Sequence, residues 1–302
     1  MFKRYVKAGP IEKYQMKWGY FFIAPCIIGL ILFNFGPMLF SMGISFTTWN
    51  IITAPEFNAG ANYIRLVQDP LIRTSLRVTM YYTLLTVPLI TIVHFFTAML
   101  LNTGIKGISI FRTVFYIPSI VPIVASSALW MFIYHPMFGL LNSILRMMGL
   151  PPQGFIASPS GAVPAISIMA VWAAGNTMVI YLAGLQGLPR ELYEACEIDG
   201  GNAFQRFYNI TVPLMTPIIF YNMVMVMIAS TQTFTQAFIM TGGGPNNATL
   251  FYALLLYQTA FRHGQMGYSA AMSWVLFIIV ALLTLVVFRT SKRWVFYEHK
   301  AE

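Results

Sequence analysis

Residues Pro189 to Pro213 read PRELYEACEIDGGNAFQRFYNITVP. The chain has 302 residues and only nine acidic side chains, and four of these (Glu191, Glu194, Glu197 and Asp199) fall in this one stretch. Pro189 suits the first helical position, and acids in the opening turns complement the positive end of a helix. Leu188, Leu192, Ala195 and Cys196 recur at helical spacing, so one face can pack while Glu191, Glu194 and Glu197 point elsewhere. Gly200 and Gly201 supply the left-handed backbone of a helix end, and a second short helix is expected after them. By periodicity alone the stretch is equally a solvated amphipathic connector between two membrane helices.

Composition decides what flanks it. Hydrophobic residues make up 58% of the chain and charged residues 9%, which is a membrane-protein composition rather than a soluble one. Six apolar runs reach the roughly 20 residues needed to cross a bilayer: 18–46, 78–101, 114–134, 161–185, 214–240 and 268–288. The expected fold is therefore all-α, a polytopic membrane protein of six transmembrane helices. The segment 1–17 precedes the membrane domain 18–302, whose most conspicuous loop is 186–213. The net charge of +9 does not point to nucleic acid, because five Lys and Arg crowd into the first seventeen residues and four lie from Arg289 onward. Such clusters beside apolar spans are positive-inside signals. They place both termini in the cytoplasm and, by alternation, the 186–213 loop there too, with thirteen Lys and Arg inside and five outside. The first apolar run is too long for a cleavable signal and reads as a retained anchor. Cys26 and Cys196 cannot build a disulfide framework. FGLLNSILRMMGL, at 138–150, is expected to form a surface helix ended by Pro151 and Pro152, and TGGGPNN, at 241–247, a turn-rich break.

Little here could carry enzyme chemistry. Motifs for zinc, thiol-redox or serine-hydrolase chemistry are lacking, as is a phosphate-cradling Gly-x-x-x-x-Gly-Lys-Ser/Thr loop. No catalytic residue, metal site or cofactor is expected, and any ATP that drives the protein must bind another chain. The six runs contain no Asp, Glu, Lys or Arg, which argues against an ion-coupled carrier; His94 is the one relay candidate, and hydrogen-bonded packing is the better reading of it. A membrane scaffold without solute flux is the remaining alternative. Neutral polar groups gather in the second half, among them Trp172, Thr177, Ser230 and Thr233, with Ser230, Thr233 and Ala237 spaced along one face of the fifth run. Taken singly, each is explained by interhelical hydrogen bonding. Together, hydroxyls, amides and aromatic planes without charge suit a neutral polyhydroxylated solute. Proline recurs inside the runs (Pro25, Pro37, Pro88, Pro118, Pro122, Pro164 and Pro217), and each favours a kink.

The loop also carries a spaced pattern: Glu194-Ala195-Cys196, Gly200, Ile210 and Val212-Pro213. This resembles the signature loop of permease subunits of ATP-binding-cassette importers, in which Glu-Ala-Ala is followed by Gly, Ile and Leu-Pro; Cys196 and Val212 are the departures. From about Trp18 onward the chain is similar to the maltose-type permeases for oligosaccharides, through the six-run layout, the loop, Thr241-Gly242-Gly243-Gly244-Pro245, and Gly267 with Ala270-Ala271. The resemblance implies an importer fold in the bacterial or archaeal cytoplasmic membrane. It also implies a second homologous permease as heterodimer partner, two ATPase subunits and an external solute-binding protein. The ATPase-docking residues it implies are Glu191, Glu194, Ala195, Cys196, Asp199, Gly200, Ile210 and Pro213. Thr177, Ser230 and Thr233, with Trp172 nearby, become the implied sugar contacts.

Overall fold

The structure is a computed structural model that describes residues 9–296. Lys3, Arg4, Lys7 and Lys300, part of the terminal basic clusters, lie outside the described residues.

The first helix, α1 (Pro10–Ile44), passes Pro37 by widening one turn over Ile31–Phe35. Proline has no N–H, and its ring collides with the carbonyl four residues back in a regular helix. Here the Gly36 N–H instead reaches the carbonyl of Ile31, five residues back, and the helix continues. A two-residue ribbon follows, β1 (Thr47–Thr48) antiparallel to β2 (Glu56–Phe57), then α2 (Ala61–Gln68). Helix α3 (Pro70–Leu101) begins with a built stop: Asp69 is its N-cap and accepts the Leu71 N–H at 2.9 Å, and Pro70 occupies the first turn. Its 32 residues rise about 48 Å, well beyond the bilayer core. Next come α4 (Ile108–Ile120), α5 (Ile123–Ile133), α6 (Leu140–Met147), α7 (Ala162–Ala173), α8 (Gly175–Gln186) and α9 (Arg190–Ile198). The chain closes with α10 (Ala203–Thr231), α11 (Thr235–Met240), α12 (Tyr252–Tyr257) and α13 (Met266–Ser291).

Four helices (α1, α3, α10 and α13) are each long and apolar enough to cross a membrane, and the bent pairs α4–α5 and α7–α8 bring the number to six. The expected third and fourth runs are thus not straight rods: they bend by 100° and 49°. At the first bend Val121 is extended (φ −70°, ψ 128°), the conformation that a following proline imposes, and Pro122 starts the next helix. The fifth run also differs, since its helix stops at Thr231 and resumes only at Thr235. The surface helix α6 ends before the prolines expected to stop it. Left-handed Gly149 (φ +73°) closes it, with the Leu150 N–H on the Leu145 carbonyl at 2.8 Å and the Gly149 N–H on that of Arg146 at 3.0 Å.

The chain divides into two compact units, residues 1–66 with 259–274, and residues 67–258 with 275–302. In the first, buried Asn62 donates to the carbonyls of Ser45 (2.8 Å) and Thr47 (3.0 Å), fixing α2 under the start of the ribbon. The Gly267 N–H bonds the Trp49 carbonyl at 3.2 Å, and a Cβ at 267 would collide with the Thr47 carbonyl oxygen, so only glycine lets the start of α13 approach the ribbon so closely.

In the second unit α3 is the axis, packed by α7, α8, α10 and α12. Phe95, Ala98, Leu101, Met178, Tyr181 and Met215 form its core cluster. Polar bridges add to this packing: Thr86 Oγ1 of α3 donates to Ser167 Oγ of α7 at 2.8 Å, and the hydroxyl of Tyr134, at the end of α5, donates to the Ala165 carbonyl of α7 at 2.8 Å. In an apolar solvent such bridges and close packing hold helices together where a hydrophobic drive is lacking.

Candidate functional site

The helix–turn–helix between α8 and α10 is braced at every joint. Pro189 stands at the N-cap of α9, one position earlier than expected, and Glu191 lies in the first turn. At the far end the Gly201 N–H bonds the Cys196 carbonyl at 2.8 Å and the Gly200 N–H bonds that of Glu197 at 3.1 Å, with Gly200 left-handed at φ +77°. This is a Schellman closure, the same device that ends α6. The next helix opens on a reciprocal cap: Asn202 Oδ1 accepts the Gln205 N–H at 2.9 Å, and Gln205 Oε1 accepts the Asn202 N–H at 2.8 Å. Two further contacts tie α9 to α10. Arg206 pairs with Glu197 at 2.8 Å, and the hydroxyls of Tyr193 and buried Thr211 are 2.9 Å apart.

The second short helix expected after the glycines is not separate. It runs into the membrane span as one 29-residue helix, α10, of about 43 Å. A wide turn over Phe207–Thr211 makes this continuity possible: the Val212 N–H reaches the Phe207 carbonyl and carries the helix past Pro213, as happens in α1 before Pro37. Ile210 lies in that turn, and Ile210 and Pro213 are half-buried at its base.

Glu191, Glu194, Ala195, Asp199 and Gly200 are exposed, and Cys196 is half-buried. Among the described residues Glu194 has no hydrogen-bond or ion-pair partner. Beside the acids stand bare apolar side chains that the sequence reading did not single out: Ile198 (86% exposed), Phe204 (72%) and Tyr208 (64%), the last two with rings stacked at 6.2 Å. Their i, i+4 spacing was legible; their exposure was not. Next to the loop opens a cleft of about 720 Å³, lined in part by Asn102, Arg112, Gln186, Arg190, Tyr193 and Thr211. Arg112 is structural: its Nε and Nη2 donate to the Leu101 carbonyl at 3.2 and 2.9 Å and cap the end of α3.

The polar candidates of the membrane region are placed differently from expectation. Ser230, Thr233 and Ala237 do not share one helical face, because the break at Gln232–Phe234 separates the first from the last. Ser230 Oγ donates to the Met227 carbonyl at 3.0 Å. Ser230, Thr233 and Thr177 are all buried (5, 7 and 8% exposed). Trp172 is half-buried edge-on to Trp130, centroids 5.8 Å apart, and among the described residues the buried indole nitrogen of Trp130 has no hydrogen-bond partner.

His94 Nε2 lies 2.8 Å from the Val171 carbonyl, which makes that nitrogen the proton carrier and ties α3 to α7. A packing role follows. His94→Leu removes this donor and leaves the Val171 carbonyl only its bond from the Ala174 N–H at 3.2 Å, and is expected to destabilise the protein by about 0.5–1.5 kcal/mol, whereas His94→Gln restores a donor. Thermal unfolding in detergent and uptake in vesicles check this: a relay role would instead abolish uptake in both variants.

Residues 95–293 match the family described as binding-protein-dependent transport system inner membrane component. The chain belongs to that family. The permease is 42% identical over 289 residues to the probable ABC transporter permease protein YesP of Bacillus subtilis (strain 168), covering 94% of this chain and 93% of that one. It is 32% identical to the trehalose/maltose transport system permease protein MalF of Thermococcus litoralis, covering 92% and 95%. Among solved structures, a chain of a bacterial alginate ABC transporter in complex with an alginate pentasaccharide-bound periplasmic protein superposes with a TM-score of 0.81. That match has 20% identity and covers 93% of the permease and 96% of that chain, so it bears on the fold.

Proposed function

We propose that this permease is the membrane-spanning subunit of an ABC importer that moves a neutral sugar or oligosaccharide. The solute is handed over by an external solute-binding protein, and ATP is hydrolysed on two partner ATPase subunits. A second, different permease completes the pathway, and both termini face the cytoplasm. The reading rests on one feature above the rest: an exposed, cross-braced helix pair, bearing the unpartnered Glu194, that continues without interruption into a membrane-spanning helix. A loop fixed in this way to its span cannot be displaced without moving the span. Glu191, Glu194, Ala195, Cys196, Asp199 and Gly200 form the surface seated in the ATPase, with Glu194 making a charge-assisted contact to a basic side chain there. Ile210 and Pro213 form the joint. Closure of the ATPase pair on ATP drives the loop as a rigid body and switches the attached spans between inward- and outward-facing states.

The names of the sugar permeases among the relatives support the substrate class. Trp172, Thr177, Ser230 and Thr233 are the proposed lining of the pathway. Because three of them are buried in this conformation, they meet solute only when the spans move.

The deciding experiment is purification of the tagged permease from its native host in mild detergent, then reconstitution into vesicles. Recovery of a second permease and an ATPase, with uptake that requires ATP inside, is the expected result. Recovery of this chain alone, transporting on an ion gradient, would overturn the proposal.

A further inference from the structure

A second polar cleft, of about 420 Å³, lies within the unit formed by residues 1–66 and 259–274, far in sequence from the helix–turn–helix. Its walls are the ribbon, its connecting loop, α2 and the turn before α13. Volume of this order suits a small ligand held by a few placed polar groups.

We infer that this cleft is a saccharide subsite, which holds one or two sugar rings of the solute before they enter the membrane pathway. The inference rests on the sugar-permease reading, with this face external. Its grounds are the chemistry of the lining. Glu56 and Arg65 both line the cleft, and among the described residues neither has an ion-pair partner. A carboxylate and a guanidinium each offer paired acceptors or donors at the spacing of adjacent hydroxyls, and together they bring no net charge. Trp49 supplies an aromatic plane and His263 a further polar nitrogen. Gln265 also lines the cleft, and among the described residues its buried Oε1 has no hydrogen-bond partner. A buried amide oxygen without a donor is costly, and a solute hydroxyl that reached it from the cleft would remove that cost.

The walls are built rather than loose. The Arg65 guanidinium lies 4.1 Å above the Tyr268 ring, a cation–π contact that holds the arginine in place. Asn50 Oδ1 accepts from the backbone N–H groups of Ile52 (3.1 Å) and Thr53 (2.9 Å), forming an Asx turn at the rim. The next residue, Ile51, is left-handed at φ +73°, a conformation that a β-branched side chain rarely takes. Strain of this kind persists where surroundings impose it.

The test uses the whole importer in lipid nanodiscs without its solute-binding protein. Maltotriose, trehalose, lactose and raffinose are first screened for uptake by the complete system in vesicles. The sugar that is taken up is then offered to the nanodisc complex, with binding read by saturation-transfer NMR. Two preparations are compared: wild type and the conservative pair Glu56→Gln with Arg65→Gln. Wild type should bind, while the pair raises the apparent Kd about tenfold or more, as loss of charged hydrogen bonds predicts. Equal binding by wild type and the Glu56/Arg65 pair overturns the inference and leaves the importer reading standing. So does a pair that binds sugar normally but loses only uptake driven by the solute-binding protein, since the cleft would then be a protein contact. If none of the four sugars is taken up, the sugar-permease reading and the inference fail together.

Discussion

Glu194→Lys is expected to strip the ATPase subunits from the purified assembly and lower ATP-dependent uptake at least tenfold, with the permease still inserted at its normal level. Within the chain Glu194 is exposed and has no partner among the described residues, so folding loses little. Lysine and glutamate have similar helix propensities, and exposed substitutions of this kind usually stay within about 0.5 kcal/mol. At an interface the balance reverses. Losing a charge-assisted contact and facing like charges costs about 2–5 kcal/mol, and each 1.4 kcal/mol is about tenfold in affinity. Glu197 provides the control. Its carboxylate is already paired with Arg206 on the protein surface, and Glu197→Ala should cost less than about 1 kcal/mol and leave the ATPase bound. Co-purification of the ATPase with both variants, measured beside membrane insertion, separates these outcomes. An unchanged ATPase yield with Glu194→Lys would remove this residue from the docking surface.

The second large effect is expected at Gly201, which lies outside the spaced pattern of the loop. A Cβ there would stand 2.8 Å from the Cys196 carbonyl oxygen and press on the Cys196 thiol. That carbonyl is the acceptor that closes α9, so Gly201→Ala must open the Schellman turn or displace α9. Gly200 differs. It is left-handed, yet nothing lies within 4 Å of a Cβ built on it, so the penalty is backbone strain of about 1–2 kcal/mol. Both Gly201→Ala and Gly200→Asp should abolish uptake, for different reasons. The aspartate protrudes from an intact loop into the surface that meets the ATPase, whereas the alanine deforms the loop. Limited proteolysis distinguishes them: cleavage near 196–202 should rise strongly in Gly201→Ala and little in Gly200→Asp. Wild-type uptake by Gly201→Ala would show that the turn tolerates rearrangement.

The loop was legible because its signals are local. Acids near a helix start and paired glycines at its end each act over one turn, and both appear where the sequence puts them; the reciprocal cap of Asn202 and Gln205 is as local a signal, and the sequence reading passed over it. The six apolar runs were legible from composition, and their shapes were not. Apolar content is the same along a straight helix and a bent one, so neither the 100° bend at Val121–Pro122 nor the break at Gln232–Phe234 left a mark on hydropathy. Proline was an ambiguous guide. Pro122 begins a new helix, while Pro88 and Pro217 lie within continuous ones. Burial of Ser230 and Thr233 depends on neighbours distant in sequence, and no local pattern announces it. The cleft around Glu56 and Arg65 joins residues some two hundred positions from His263 and Gln265, and only the fold brings them together.

The wide turn at Phe207–Thr211 also acts as a phase shifter. One surplus residue in a helix of 3.6 residues per turn advances every preceding side chain by about 100° around the axis. The azimuth at which Phe204 and Glu194 present themselves is therefore set by residue count rather than by residue identity. Deleting a single residue between 207 and 211, together with Pro213→Ala so that a regular helix can pass, would swing the whole loop about 100° around the span, aiming its side chains elsewhere.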